Sequence, residues 1–295
     1  MSIIDDLGIA LPTYRLFRYT DKVYKVVKFK RRMPYAYHLQ KKAEAPKYDH
    51  KLDSSLSRTK KVVLELALCN HWEYFCTFTL SKDKHDRSNL VAWRETFLQW
   101  IRDQRKKGID IKFLLVPERH KDGSWHMHGL MSGLGSQLVS FEEERKKGLK
   151  VPSKLVNNGF YDWPAYREKF GFCSFAFVKS SIAVSFYTLK YITKDIAESS
   201  QSVGLHLYYS SRGLNRSSLQ AEIYSGSAYL DSFLENDYQF CSTGMTKVKD
   251  NLDWTFGLDY VDFEPLFVSD QTENDEKYCD TVYEAMQLTF DDYSV

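Results

Sequence analysis

The sequence predicts an α+β fold, an antiparallel sheet with helices packed on one side, of the split βαβ type. Three observations lead there. Short apolar runs alternate with two long amphipathic segments in the order strand, helix, hairpin, strand, helix, strand. An Asp122-Gly123 pair separates two of the runs, a hairpin signal that makes those strands antiparallel neighbours. The 295 residues are 43% hydrophobic and 15% aromatic, enough to fill one large core or two small ones.

In chain order, residues 1–60 are expected to form a basic N-terminal extension, residues 61–215 the sheet-and-helix core, and residues 216–295 an accessory region with an acidic tail. "KKVVLELALCN" (60–70) has helical spacing, and "WEYFCTFTL" (72–80) alternates like a half-buried strand. "SNLVAWRETFLQWIRDQRKKG" has an apolar face, basic residues in its last turn and Gly108 beyond it, so a helix capped by Ser88 is predicted. "IDIKFLLVPE" and "SWHMHGLM" make the hairpin. Residues 132–170 form an insertion with a short helix near "FEEERKKG"; "FCSFAFVKS" is a strand, "SIAVSFYTLKYITKDIAES" a second long helix, and "GLHLYYSS" a last strand.

A formal net charge of +2 hides an asymmetry. Residues 15–61 hold 15 Lys/Arg against 4 Asp/Glu, and residues 250–295 hold 1 against 13. Cations interleaved with aromatics suit a polyanion, because each cation that neutralises a phosphate releases a counterion. Lys28, Lys30, Arg31 and Arg32 are therefore candidate nucleic-acid contacts. The five cysteines have no short spacing, which argues for reduced thiols and a cytoplasmic home. Neither a secretory signal nor a membrane span is expected.

His126 and His128 share one face of their strand while Met127 points the other way. If residues pair across the Asp122-Gly123 turn so that their numbers sum to 244, Glu118 lies opposite His126 on the same face; a slip of one would remove it. Two imidazoles and a carboxylate leave coordination positions open, which suits a catalytic divalent metal. The alternative is a pair of half-buried sheet histidines. His120, in the turn, is expected at the surface. On the second long helix, Ile182, Phe186, Leu189, Ile192 and Ile196 form an apolar stripe, expected to be the core face, with Tyr187, Lys190, Tyr191 and Lys194 roughly opposite. Thr77 and Thr79 share a face of the first strand, and Arg212 and Arg216 lie in a basic loop suited to phosphate contacts.

"FCTFTL", "PERHKDGSWHMHGL" and "YTLKYITK", in this order, resemble the three motifs of the HUH endonucleases, and within them the rolling-circle replication initiators of plasmids, phages and related replicons. The resemblance covers roughly residues 61–215. It implies a ferredoxin-like core, Mg²⁺ or Mn²⁺ bound by Glu118, His126 and His128, and a tyrosine that attacks single-stranded DNA at a replication origin. The implied products are a 5′-phosphotyrosine link and a free 3′-hydroxyl. Tyr191 with Lys194 is the first choice of nucleophile, and Tyr187 with Lys190 matches equally well by spacing; some members of the superfamily use two such tyrosines. No GxxxxGK[ST] loop occurs, so no nucleotide cofactor is expected, and a host helicase and DNA polymerase are the implied partners in a bacterial cytoplasm. Rival readings are a non-catalytic single-strand or origin binder, an HUH transposase or relaxase, and a non-haem iron enzyme.

Overall fold

The computed structural model describes residues 3–4, 10–30, 48–192, 206–237, 241–248 and 263–265. The first strands are β1 (Ile3–Ile4), β2 (Ala10–Leu11), β3 (Tyr14–Arg18) and β4 (Val23–Phe29). Then come α1 (Tyr48–Leu68), β5 (Tyr74–Thr79), α2 (Leu90–Lys106), β6 (Lys112–Arg119) and β7 (Trp125–Ser132). The insertion holds β8 (Val139–Ser140), α3 (Phe141–Lys146), α4 (Ser153–Asn157), β9 (Tyr161–Asp162) and α5 (Pro164–Lys169). Next are β10 (Cys173–Phe177), α6 (Ser181–Thr188), a 3₁₀ turn at Leu189–Tyr191 and β11 (Tyr209–Ser210). The chain continues with β12 (Ser218–Ile223), α7 (Ala228–Asp231), β13 (Asn236–Asp237), β14 (Cys241–Val248) and β15 (Phe263–Pro265).

Two compact units result, one built from Met1–Lys47 with Asn215–Asp270, the other containing Tyr48–Leu214. The first is a sheet ordered β12-β3-β4-β14-β13, with β15 beside β14. Part of the expected basic extension is thus sheet: in "YRLFR" and "VYKVVKF" cations alternate with apolar residues at the strand period. Tyr14, Leu16, Tyr24 and Val26 are buried against Leu230, Phe233 and Val248. Residue 60, the expected boundary, falls inside α1.

The second unit carries a seven-stranded antiparallel sheet ordered β11-β6-β7-β5-β10-β9-β8. Its α+β character matches the expectation and is compatible with a ferredoxin-like core, with one correction: helices cover both faces. Val63 and Leu66 of α1 and Ala183 and Val184 of α6 pack with Phe75, Leu114 and Leu130. Trp93, Phe97 and Ile101 of α2 pack with Cys76, Phe78, Leu115 and Met127 on the other face. Every residue of β5 and β7 is buried, as a central strand covered on both sides requires.

Two local corrections concern helix ends. Asn89, not Ser88, caps α2, its side chain accepting from the Ala92 N–H; the Ser88 hydroxyl donates instead to Asp86. The second long helix is α-helical only to Thr188 and then tightens into the 3₁₀ turn; Lys194 and Ile196 lie outside the described residues. Its expected faces are exchanged: Tyr187 and Tyr191 are 3% exposed, whereas Ile182, Phe186 and Leu189 are half-buried. Tyr187 and Tyr191 join the core cluster with Phe75 and Leu130, so on this helix the aromatic face, rather than the aliphatic one, meets the sheet.

Candidate active site

The β6–β7 hairpin builds the site. Its loop closes with the His120 N–H donating to Ser124 O and the Gly123 N–H to His120 O, while Gly123 takes a φ of 84°, the left-handed position of a three-residue hairpin loop. That turn sets the register predicted from sequence: Glu118 pairs with His126, and Val116 with His128. Beyond His128, a Cβ at Gly129 would sit 2.0 Å from the Leu114 carbonyl oxygen, so the glycine permits β6 to lie this close. On the other edge β5 brings Thr77 opposite His128 and Thr79 opposite His126.

The structure adds a ligand candidate that the sequence reading placed at the surface. His120, His126 and His128 present nitrogen atoms all within 4.8 Å of one another. The His120 and His126 rings lie 3.7 Å apart by centroid. Glu118 Oε2 is 2.8 Å from His128 Nε2 and 3.7 Å from His120 Nε2. The signal was available: position 120 has the parity of 118, and the ladder continues one step beyond Arg119, so residue 120 stays on the ligand face.

The electrostatics favour a cation. Burial, then the nearby His120 and His128, pull the His126 pKa down to about 2. Burial likewise lowers His128, against the opposing pull of Glu118. For Glu118, burial pushes the carboxyl up, but hydrogen bonds from His120 and His128 together with their charges outweigh it and hold it well below the usual carboxylate range. At neutral pH the buried imidazoles His126 and His128 therefore keep lone pairs available beside an ionised carboxylate. Three imidazoles and one carboxylate converging at this spacing fit a divalent metal ion.

Thr77 orients the innermost ligand. Its hydroxyl lies 2.9 Å from His128 Nδ1, with both side chains essentially inaccessible to solvent, so Nε2 is the nitrogen aimed at the cluster. Tyr191 covers the same imidazole from the helix side: the rings stack at 4.3 Å with only 10° between planes. Tyr187 meets Tyr191 edge-on at 5.8 Å, and Lys190 Nζ lies 4.8 Å from the Tyr187 ring centroid. Glu118, His126, His128, Tyr187, Lys190 and Tyr191 thus form one neighbourhood.

The remaining candidates lie elsewhere. Lys28 is paired with Asp231 and Lys30 with Asp237, both within the first unit. Arg31 and Arg32 fall outside the described residues. Arg212 and Arg216 are exposed, Arg212 at the end of the second unit and Arg216 at the start of a first-unit segment. Cys69, Cys76, Cys173 and Cys241 are free thiols, and burial pushes Cys76 and Cys173 far above the usual range, which leaves both inert.

A histidine-and-carboxylate centre on a central antiparallel strand, faced by tyrosines from a following helix, defines a class of metal-binding α+β protein. The particular family follows from comparison: residues 73–196 match the ORF2-type family of replication-associated proteins. That stretch runs from β5 past the 3₁₀ turn, so it contains the whole hairpin and both tyrosines. It is a replication-associated domain, consistent with a rolling-circle replication initiator. No curated protein and no solved structure matched the chain. No helix among the described residues is long and apolar enough to cross a membrane.

Proposed function

We propose that this chain nicks and rejoins single-stranded DNA at a replication origin through a tyrosine nucleophile. The observation that carries this reading is the Tyr191 ring stacked 4.3 Å from the ring of His128. Mg²⁺ or Mn²⁺ held by Glu118, His126 and His128, with His120 as a further donor, would supply positive charge to polarise the scissile phosphate and offset charge developing during attack. The protein's own residues do the rest.

Tyr191 forms the new Oη–P bond as the P–O3′ bond breaks. The phenolic proton leaves and the departing 3′ oxygen takes one up, giving a 5′-phosphotyrosine and a free 3′-hydroxyl that a host polymerase extends. Attack by a 3′-hydroxyl on that phosphotyrosine reverses the exchange and rejoins the strand, so the reaction needs no nucleotide hydrolysis. Tyr191 sits on a 3₁₀ turn at a helix end, where backbone hydrogen bonds open at low cost, and this lets a residue only 3% exposed turn out to a phosphate. Glu118 and Thr77 hold the His128 ring from its two nitrogens. Tyr187, with Lys190 against its ring, is the candidate second nucleophile for termination. Strand separation is left to a host helicase.

The test is incubation with oligonucleotides covering candidate origin hairpins, in Mn²⁺ or EDTA, followed by denaturing electrophoresis and peptide mapping. A metal-dependent adduct on Tyr191, lost in Tyr191→Phe, is the expected result; Tyr187→Phe should retain a first adduct. Binding to the replicon's own origin without any adduct would sink the reading and leave an origin-binding protein.

A further inference from the structure

A cavity of about 220 Å³ opens beside the histidine cluster, lined by Thr79, Lys82, Lys84, Arg87, Gly171 and Phe172 among others. It adjoins the site through two residues. Thr79 is the cross-strand partner of His126. Arg87 donates to Ser124 Oγ in the hairpin at 3.1 Å, and it also lines a wider recess of about 400 Å³ that reaches Asp122 and Gly123.

The lining is basic. Lys82, Lys84 and Arg87 stand in the wall with a single carboxylate, Asp83, since the Arg167 guanidinium, also in the wall, is held by Asp162 at 2.6 Å and Glu144 at 2.5 Å. Asp122, outside the wall, comes no closer to Arg87 than 3.9 Å. Lys84 Nζ is fixed by the Glu168 carbonyl at 2.7 Å, which orients the ammonium without neutralising it. A second observation is independent of charge: Thr79 is 3% exposed, and its hydroxyl oxygen is buried with no hydrogen-bond partner among the described residues. A buried hydroxyl left so is a cost unless something at the site supplies the bond. Gly171 shapes the wall: its φ is 145°, and a Cβ there would sit 2.3 Å from the Ser81 nitrogen, so only glycine lets the segment before β10 close against the β5–α2 loop.

We propose that this cavity is a subsite for the phosphodiester neighbouring the scissile one, with Lys82, Lys84 and Arg87 neutralising its charge and the Thr79 hydroxyl donating to a phosphate oxygen. The assignment rests on single-stranded DNA being the substrate. Its test uses binding alone, so it is read separately from nicking: fluorescence anisotropy of a labelled oligothymidylate in EDTA over a salt series. Lys82→Gln/Lys84→Gln should weaken binding and make the slope of log K against log salt shallower by about 0.7 for each phosphate no longer neutralised. Lys106→Gln/Lys146→Gln, which removes two exposed lysines elsewhere, should leave the slope unchanged. Thr79→Val should weaken binding by about 2- to 10-fold at unchanged slope. Equal slopes for wild type and Lys82→Gln/Lys84→Gln would overturn the subsite. So would an equal weakening in both double variants, which would mean diffuse charge, and a Thr79→Val protein that binds like wild type would remove the hydroxyl from it. Circular dichroism of each variant checks the fold. A chain that forms no tyrosine adduct can still show these slopes, and one that nicks can lack them.

Discussion

Replacing Thr77 by valine should loosen metal binding about tenfold without unfolding the protein. In the metal-free chain, the ionised Glu118 can only accept, so at 2.8 Å the His128 Nε2 carries the proton and Nδ1 accepts the Thr77 hydroxyl hydrogen at 2.9 Å. A metal taking the Nε2 lone pair moves the imidazole proton to Nδ1, and the threonine oxygen must then accept. A hydroxyl can rotate between these roles, whereas a valine methyl can do neither. Both states lose a bond in Thr77→Val, but unequally: a neutral bond contributes about 0.5–1.5 kcal/mol and one to a metal-polarised N–H about 1.5–3 kcal/mol. The difference of roughly 1–1.5 kcal/mol is about a 5- to 15-fold loss of affinity, at the low end of what removing an outer partner of a ligand costs. Mn²⁺ titration by electron paramagnetic resonance reads it directly. Thr77→Ser should stay near wild type, and ¹⁵N chemical shifts of His128 should report the Nε2–H tautomer in EDTA and the Nδ1–H tautomer with Zn²⁺. Wild-type Mn²⁺ affinity in the valine variant would refute the argument.

Three further outcomes follow from the same geometry. His120→Ala should weaken Mn²⁺ binding, though less than His126→Ala, because His120 sits at the half-exposed rim and His126 is fully buried; equal affinities for wild type and His120→Ala would return it to the surface role. Acid should destabilise the metal-free protein: the His126 pKa falls from its ordinary 6.5 to about 2 on folding, so below pH 6.5 the unfolded chain binds a proton that the folded chain refuses. Stability then drops by about 1.4 kcal/mol between pH 7.5 and 5.5 from this residue alone, and Glu118, whose carboxyl is also lowered, adds to the loss only at more acidic pH. Urea unfolding in EDTA at both pH values should show a smaller drop in His126→Gln, and an identical drop would count against a buried neutral imidazole. Finally, Gly129→Ala drives a Cβ to 2.0 Å from Leu114 O and should cost about 1–3 kcal/mol, measurable by the same unfolding.

Much of the site was legible because a strand has a period of two. The HxH spacing alone puts His126 and His128 on one face, and the Asp122-Gly123 turn alone puts Glu118 opposite His126, as the ladder has it. The same logic carried one step further would have placed His120 on that face. The tyrosine helix was less legible. Its aliphatic stripe looks like the natural core face by hydropathy, yet what α6 meets is Phe75 and the His128 imidazole, and aromatic rings pack there edge-on and stacked.

The sequence by itself determined the antiparallel core, the hairpin register and the residue types that converge on it, since all of these follow from local periodicity and turn chemistry. Tertiary structure decided that helices cover both faces of the sheet and that Tyr191 rests on His128. It also decided that the basic N-terminal strands join β12 and β14 in a second sheet. Those outcomes depend on pairings between residues about two hundred positions apart, such as Arg15 with Glu222 and Lys25 with Met245, and no local pattern specifies a partner at that distance.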